Sequence, residues 1–419
     1  MNTKLPQVTP FSHSDGSVPV IASSRTSRIG LLDWYTGSAV VIILCLVYLE
    51  IPDYVYTIYG VFLPKYFYYA FFVVVAPLLV LRFNSLIPYV ISPFSLWALA
   101  WIVLNIAHLL VALSDGDGGR ASLIGTRIQY AVLAVLLGFA CSITRTTSYE
   151  RIFPFLAVLI PTMVIVDFLH PGVFYPLGTE GTVVGRAAAT FFNPGLAGEA
   201  MLLTFLLATP VVRPRYRVLL LFLVGAGVIV TFSRSAILGW MLLWLLLLLR
   251  KAVPKYTLAI ALVALAALPM LLVGFESYVS GRGELSEGLD DILGRLEFFQ
   301  HQSLDDFSAL ERAQVLETGL ALFLQHPVFG AGAGATFVWS IRVSVHNQPV
   351  MLAAEYGVFG LALWLWLAVI LWKGKYFQDR TFQLIAVTGF VFLSMFSHTI
   401  FDYPYWLMTY ALIGGQRRP

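Results

Sequence analysis

Residues 213–255 read RPRYRVLLLFLVGAGVIVTFSRSAILGWMLLWLLLLLRKAVPK, and the number of times this stretch crosses a membrane decides the fold. Two apolar runs, 218–232 and 236–249, are separated by Ser233-Arg234-Ser235. Arg213, Arg215 and Arg217 precede the first run, and Arg250, Lys251 and Lys255 follow the second. Lys and Arg collect on the cytoplasmic flank of membrane spans, so cations at both ends demand an even number of crossings. The stretch is therefore expected to be a hairpin. Each arm holds 14–15 residues, roughly 22 Å of helix against a hydrocarbon core of roughly 30 Å. The outer turn should then lie recessed below the membrane surface, with Arg234 left in it.

The rest of the chain supports a membrane solvent. Of 419 residues, 59% are apolar and 12% charged, and the mean hydropathy is +0.82; a soluble domain carries about 25% charge. A net charge of +3 is too small to argue for nucleic acid. Cys45 and Cys141 both fall inside apolar runs, which removes a disulfide framework. Residues 1–29 are polar, lack a signal peptide's apolar core, and read as a disordered cytoplasmic tail.

Further apolar runs lie near 35–51, 66–81, 93–113, 128–144, 152–169, 196–212, 256–275, 357–372, 382–400 and 404–415. With both ends inside, the 26 cations divide 17 inside to 9 outside. The outside set includes Arg120, Arg127, Arg186, Arg234, Arg312 and Arg342. The expected fold is an all-α, polytopic membrane bundle of about 12 transmembrane helices, with helices 1–9 in residues 30–275, an outer loop over 276–346 between spans 9 and 10, and helices 10–12 in 347–419. That loop holds ten acidic residues and four arginines, and a connection of this size is usually functional. Residues 308–325 fit an amphipathic helix with Leu310, Ala313, Leu316, Leu320 and Phe323 at helical spacing, ended by His326-Pro327.

Three groups on the expected outer face carry chemistry. Arg234, flanked by Ser233 and Ser235, sits at a depth where an arginine is costly and tends to serve a partner or a pathway; snorkelling to headgroups is the plainer alternative. Arg312 stands in the acidic loop, where a salt bridge to Glu311 or Asp306 is an equal reading, and Arg186 lies in the other sizeable outer loop. His346-Asn347 marks the return to the membrane, and a histidine can take a proton from a sugar hydroxyl near neutral pH. A histidine merely hydrogen-bonded at a helix N-terminus, with Gly357 and Gly360 easing helix packing, is the competing account. Glu199, Glu355 and Asp402 are acidic groups at span ends that either tune a site or pair locally. Gly330-Ala331-Gly332-Ala333-Gly334 lacks the Gly-Lys-Ser/Thr of a phosphate loop and reads as a flexible turn. Asp290-Asp291 and Asp305-Asp306 read as solvated acids, and the histidines never fall at zinc spacing.

Taken in order, these residues resemble the O-antigen ligase and polymerase superfamily of bacterial glycan-transferring membrane proteins. His346-Asn347, nine residues, then Gly357-x-x-Gly360 is similar to the family's His-[Asn/Ser/Gln]-x9-Gly-x-x-Gly pattern. Thr231-Phe232-Ser233-Arg234-Ser235-Ala236 resembles its Ser-Arg helix start, and Arg312 followed by His326-Pro327-Val328-Phe329-Gly330-Ala331-Gly332 its Arg, then His-Pro-x-x-Gly-x-Gly. Gly185-Arg186 through Asn193-Pro194 looks like the loop after the fifth span. The family's aromatic after the loop arginine is missing, since Ala313-Gln314-Val315-Leu316 follow Arg312.

The resemblance implies a multi-pass protein of the bacterial cytoplasmic (inner) membrane with its active site facing the periplasm. It implies a glycan donor linked to undecaprenyl pyrophosphate, a lipid A-core or lipid-linked glycan acceptor, membrane lipid as surroundings, and no metal or other cofactor. His346, Arg312 and Arg234 would be catalytic, with Arg186, Asn347, Glu355, Ser233 and Ser235 binding substrate. Ligase is favoured over an O-antigen or exopolysaccharide polymerase because the Arg-x10-Gly pattern of some polymerases fits no arginine of the two large outer loops; Arg127 reaches Gly138 at that spacing, but Gly138 falls inside an apolar run. A lipid-linked glycan transporter or flippase is the alternative from another class, and would place its ionisable groups near the midplane.

Overall fold

The computed structural model describes residues 30–144, 150–176, 179, 186–260, 307–339 and 345–415, and of 307–312 the backbone alone. The 1–29 tail, the last expected crossing before the long loop from residue 261 onward, and most of that loop lie outside the described residues. Every regular element with described bounds is an α-helix. In chain order these are α1 (Leu31–Tyr48), α2 (Ile51–Tyr59), α3 (Pro64–Leu81), α4 (Phe83–Val90), α5 (Pro93–Ser114), α6 (Gly118–Ile143) and α7 (Ile152–Leu169). They continue as α8 (Pro194–Ala208), α9 (Pro214–Val230), α10 (Arg234–Leu249), α11 (Phe307–Gln325), α12 (Gln348–Lys373), α13 (Arg380–Ser394) and α14 (Pro404–Gly415). Six of them, α1, α3, α5, α6, α7 and α12, are long and apolar enough to cross a membrane.

The hairpin read from residues 213–255 is present. α9 and α10 are separated by Thr231-Phe232-Ser233, where Phe232 takes a left-handed φ of 50° and reverses the chain. The arms run antiparallel, since Trp240 Nε1 donates to the Leu221 carbonyl at 2.9 Å. At the open end Arg217 Nη1 donates to Ala252 O at 2.9 Å, and Arg217 Nε to Thr209 O at 2.8 Å. These bonds use the cations flanking the hairpin to tie its base. With 17 and 16 residues the arms are about 24–26 Å long.

Several boundaries differ from the hydropathy reading, each for a local reason. The 128–144 run belongs to a helix beginning at Gly118, because the Asp117 side chain caps it by accepting from Arg120 N at 3.0 Å. Arg127, assigned to an outer connection by charge counting, consequently sits inside α6 and is fully buried. The 382–400 run splits: α13 ends at Ser394, and residues 395–403 form a connection to α14. The 357–372 run starts nine residues sooner, at Gln348, and Gly357 (φ 63°, ψ −146°) kinks it. The amphipathic helix expected over 308–325 is α11, ended by His326 as anticipated. Its buried residues are Val315 and Gly319, whereas Leu316 and Leu320 are 37% and 44% exposed, so the inward face is rotated from the one read off the spacing.

α14 is buried along its whole length, packed among α5, α6 and α12. α8 is likewise buried throughout. These two helices, with the aromatic stack Trp97–Trp101–Phe401 beside them, form the centre around which the lipid-length helices are arranged.

Candidate functional site

Arg234 occupies the first helical position of α10 and Ser233 its N-cap, in extended conformation. The turn is fixed internally: Ser233 N donates to Thr231 Oγ1 at 3.2 Å, and the Ser233 and Ser235 hydroxyls lie 3.2 Å apart. Arg186 joins it from the preceding loop, its Nε donating to Thr231 O at 2.9 Å while Ala187 N donates to Val230 O at 3.4 Å. The loop is itself held by Asp167 of α7, whose Oδ2 accepts from Ala188 N and Ala189 N at 2.9 Å each.

Beside this turn, α8 begins at Pro194 with Asn193 as its cap, Asn193 Oδ1 accepting from Gly195 N at 2.7 Å. The two helix starts are in contact, for a Cβ on Gly198 would come within 2.4 Å of Ala236 Cβ. Two helix N-termini, each the positive end of its helix dipole, plus two guanidiniums make an anion-attracting end of the bundle.

The second group surrounds the start of α12. Asn347 caps that helix, Oδ1 accepting from Val350 N at 3.1 Å, and its Nδ2 donates to Met395 O at 3.4 Å. His346 precedes it, solvent-exposed, with its ring edge-on to His398 at 4.8 Å between centroids. Burial, with His346 and Arg127 nearby, pulls the His398 imidazole down to about 3, so this partner stays neutral. Asn347 is the residue that caps α12, and His346 lies exposed beside it.

The glycine motifs have a packing cause. At Gly357 the helical path of α12 breaks, and the carbonyls just before the break receive the 327–336 turn. Ala331 N donates to Ala354 O at 2.8 Å, Gly332 N to Glu355 O at 3.1 Å, and Val358 N to Pro327 O at 2.9 Å. A Cβ on Gly330 would meet the Glu355 carbonyl carbon at 2.2 Å, and one on Gly357 would meet Val328 O at 2.3 Å. The turn expected to be flexible is thus pinned, and Arg120 adds to it by donating from Nε to Ala333 O at 3.0 Å.

Glu355 lies beneath this turn, fully buried. One carboxylate oxygen accepts from Thr336 Oγ1 at 2.6 Å and the other from Arg127 Nη1 at 2.7 Å. Arg127 also forks onto Asp402, Nε to Oδ1 at 2.7 Å and Nη2 to Oδ2 at 3.0 Å. Arg127, Asp402 and His398 were not singled out as site residues by sequence reasoning. For Arg127 a signal existed, an arginine followed by seventeen residues without another charge, but it lay too close to the assumed end of a span.

α13 links the two groups. It packs against both α10 and α12, and a Cβ on Gly239 of α10 would meet Leu393 and Phe392 of α13 at 3.3 and 3.7 Å. Met395, just beyond α13, is the residue that receives Asn347. Glu199 of α8 anchors the next helix, accepting from Trp406 Nε1 of α14 at 2.7 Å. Arg186, Ser233, Arg234 and Ser235 thus form one group and His346, Asn347 and Glu355 a second, with α13 packed against the helices that carry them. Arg312 lies on α11, with its side chain outside what is described. Among the described residues no His, Cys, Asp and Glu group is arranged to hold a metal ion.

Residues 219–365 match the family model described as O-antigen ligase. The matched segment contains Ser233-Arg234-Ser235, Arg312, the Gly330 turn, His346-Asn347 and Gly357-x-x-Gly360, and leaves out Arg127, Arg186 and Asp402. No curated protein matches the chain.

Proposed function

We propose that this integral membrane protein, whose residues 219–365 match the O-antigen ligase family model, is a glycosyltransferase that moves a glycan from undecaprenyl pyrophosphate to a lipid A-core or similar acceptor at the periplasmic face of the inner membrane. The observation that carries the reading is the meeting of Arg186 with the Ser233-Arg234-Ser235 turn at two helix N-termini. Such a place suits a pyrophosphate: guanidinium forks match phosphate oxygens and keep their charge.

In the transfer, the acceptor hydroxyl oxygen attacks the anomeric carbon as the bond from that carbon to the pyrophosphate oxygen breaks. The bonding pair leaves with the pyrophosphate, and Arg234, Arg186 and Arg312 hold the charge that builds there. His346 takes the hydroxyl proton. Asn347 fixes the start of α12, and Ser233 and Ser235 offer hydroxyl donors to the same anion. Glu355 acts one layer below, through the Thr336 and Arg127 contacts. Between α8, α10, α13 and α14 lies an apolar recess lined by Leu202, Gly239, Phe390, Leu393, Trp406 and Tyr410, starting five residues along α10 from Arg234.

The test is to offer purified protein a defined undecaprenyl-pyrophosphate glycan with lipid A-core and with lipid-linked repeats separately. Glycan on lipid A-core supports the ligase; ladders on the lipid carrier replace it with a polymerase. Movement of the intact lipid-linked glycan across vesicles without transfer would replace both with a transporter.

A further inference from the structure

Arg127 is among the most heavily engaged side chains of the described residues and takes no direct step in the chemistry above. All of its guanidinium nitrogens are used, on Glu355, on both oxygens of Asp402, and from Nη1 on Tyr356 OH at 2.9 Å. Tyr356 passes the contact on to Asn105 Oδ1 at 2.8 Å. Arg127, Glu355, Tyr356 and Asn105 are all fully buried.

A buried ion cluster is a poor way to gain stability, because desolvation offsets most of the attraction and apolar side chains of like volume do as well. At membrane depth the cost rises. What the cluster does provide is a single geometry for three separate chain segments. Glu355 belongs to the first part of α12, nine residues after His346; Asp402 belongs to the 395–403 connection, four residues after His398; Thr336 and Phe337 close the glycine turn. Phe337 faces the Arg127 guanidinium at 5.8 Å and the His398 ring at 5.8 Å, and His398 in turn meets His346 at 4.8 Å. Two routes therefore run from Arg127 to His346, one through Asp402 along the connection and one through Phe337.

We propose that Arg127 is a positioning residue for the transfer reaction: it clasps Asp402 and Glu355 so that His398 is held where it presents His346 to the acceptor hydroxyl. The proposal rests on the transferase reading. A lysine supplies the charge but not the fork that holds Asp402 by two bonds. An asparagine at 402 leaves Arg127 and Glu355 as a balanced pair, so no unpaired charge is left buried while the connection loses its ionic tether.

The experiment compares full-length Arg127→Lys and Asp402→Asn with wild type for melting temperature, kcat, donor KM, and the rate at which diethyl pyrocarbonate modifies His398, read by mass spectrometry. The expected result is kcat reduced at least about 100-fold, in the range that misplacement of a reacting group produces, with donor KM within about threefold. His398 should be modified at least about tenfold faster while the melting temperature of Asp402→Asn stays near wild type. Wild-type kcat in a folded Asp402→Asn, or His398 equally protected in it, overturns the proposal. If Arg127→Lys does not fold, Asp402→Asn alone decides. Wild-type protein inert toward every donor and acceptor would count against the transferase reading, and the clasp is then judged on His398 protection.

Discussion

Arg186 donates from Nε to the main-chain carbonyl of Thr231 at 2.9 Å, fastening one loop to another three residues before Arg234. The bond occupies one edge of the guanidinium and fixes its plane beside the start of α10. Two arginines distant in sequence thus share one turn, and their roles separate by how each is held.

Arg234 stands at the helix start itself. Arg234→Ala should lower transfer by about 100- to 1000-fold, the usual loss when one donor to a developing anion is removed, with membrane insertion unchanged. Arg234→Lys should recover part of the rate, because charge returns without the fork. Steady-state transfer by the two variants checks this; equal rates for lysine and wild type would show that a point charge suffices.

Arg186 spends its Nε on the backbone, so Arg186→Ala removes both a phosphate donor and a loop clamp. Transfer should fall about ten- to hundredfold, the scale of one charged hydrogen bond. Donor KM should rise with it, which kinetics at varied donor concentration will show.

Gly357→Ala should be poorly tolerated although a single methyl is added. Its φ of 63° and ψ of −146° cost any side-chain-bearing residue about 1–3 kcal/mol, and the Cβ would strike Val328 O. The melting temperature in detergent should drop by several degrees. A variant as stable as wild type would mean that the glycine turn can move away from α12.

His398 gives a pH signature. Its folded value of about 3 lies below the ordinary 6.5, so in the window between them the unfolded chain binds the proton and the folded protein does not. The stability it contributes is complete above about pH 6.5 and is lost as pH falls toward 3. Melting temperature should therefore decline on acidification, and the decline should be shallower in His398→Gln. Parallel curves for the two proteins would contradict the burial of a neutral imidazole.

Much of the architecture was legible from charge and hydropathy. The hairpin followed from cations on both flanks of 218–249, but its turn, expected at Ser233-Arg234-Ser235, lies at 231–233, with Arg234 already the first residue of α10. The motif residues Ser233, Arg234, His346 and Asn347 stand out because a polar residue inside or beside an apolar run has few reasons to be there. The Gly330 turn was misread because its constraint comes from the α12 carbonyls of Ala354 and Glu355, which no local pattern reveals. Arg127 escaped for a similar reason. Its meaning depends on Glu355 and Asp402, which lie 228 and 275 residues away in sequence, and an isolated arginine at the start of an apolar run looks the same whether it faces water or a pair of carboxylates. The short 395–403 connection was hidden inside a continuous apolar run, since Met395-Phe396 and Ile400-Phe401 maintain the hydropathy while the helix has already ended.

The most direct measurement of the central claim is the release of undecaprenyl pyrophosphate from a defined lipid-linked glycan, followed together with glycan appearing on the acceptor. The account predicts equal amounts of both for wild type, and both lowered together by at least about 100-fold for His346→Ala or Arg234→Ala in correctly inserted protein. Transfer by both variants at the wild-type rate would contradict it, because the anion site and the proton acceptor would then lie elsewhere.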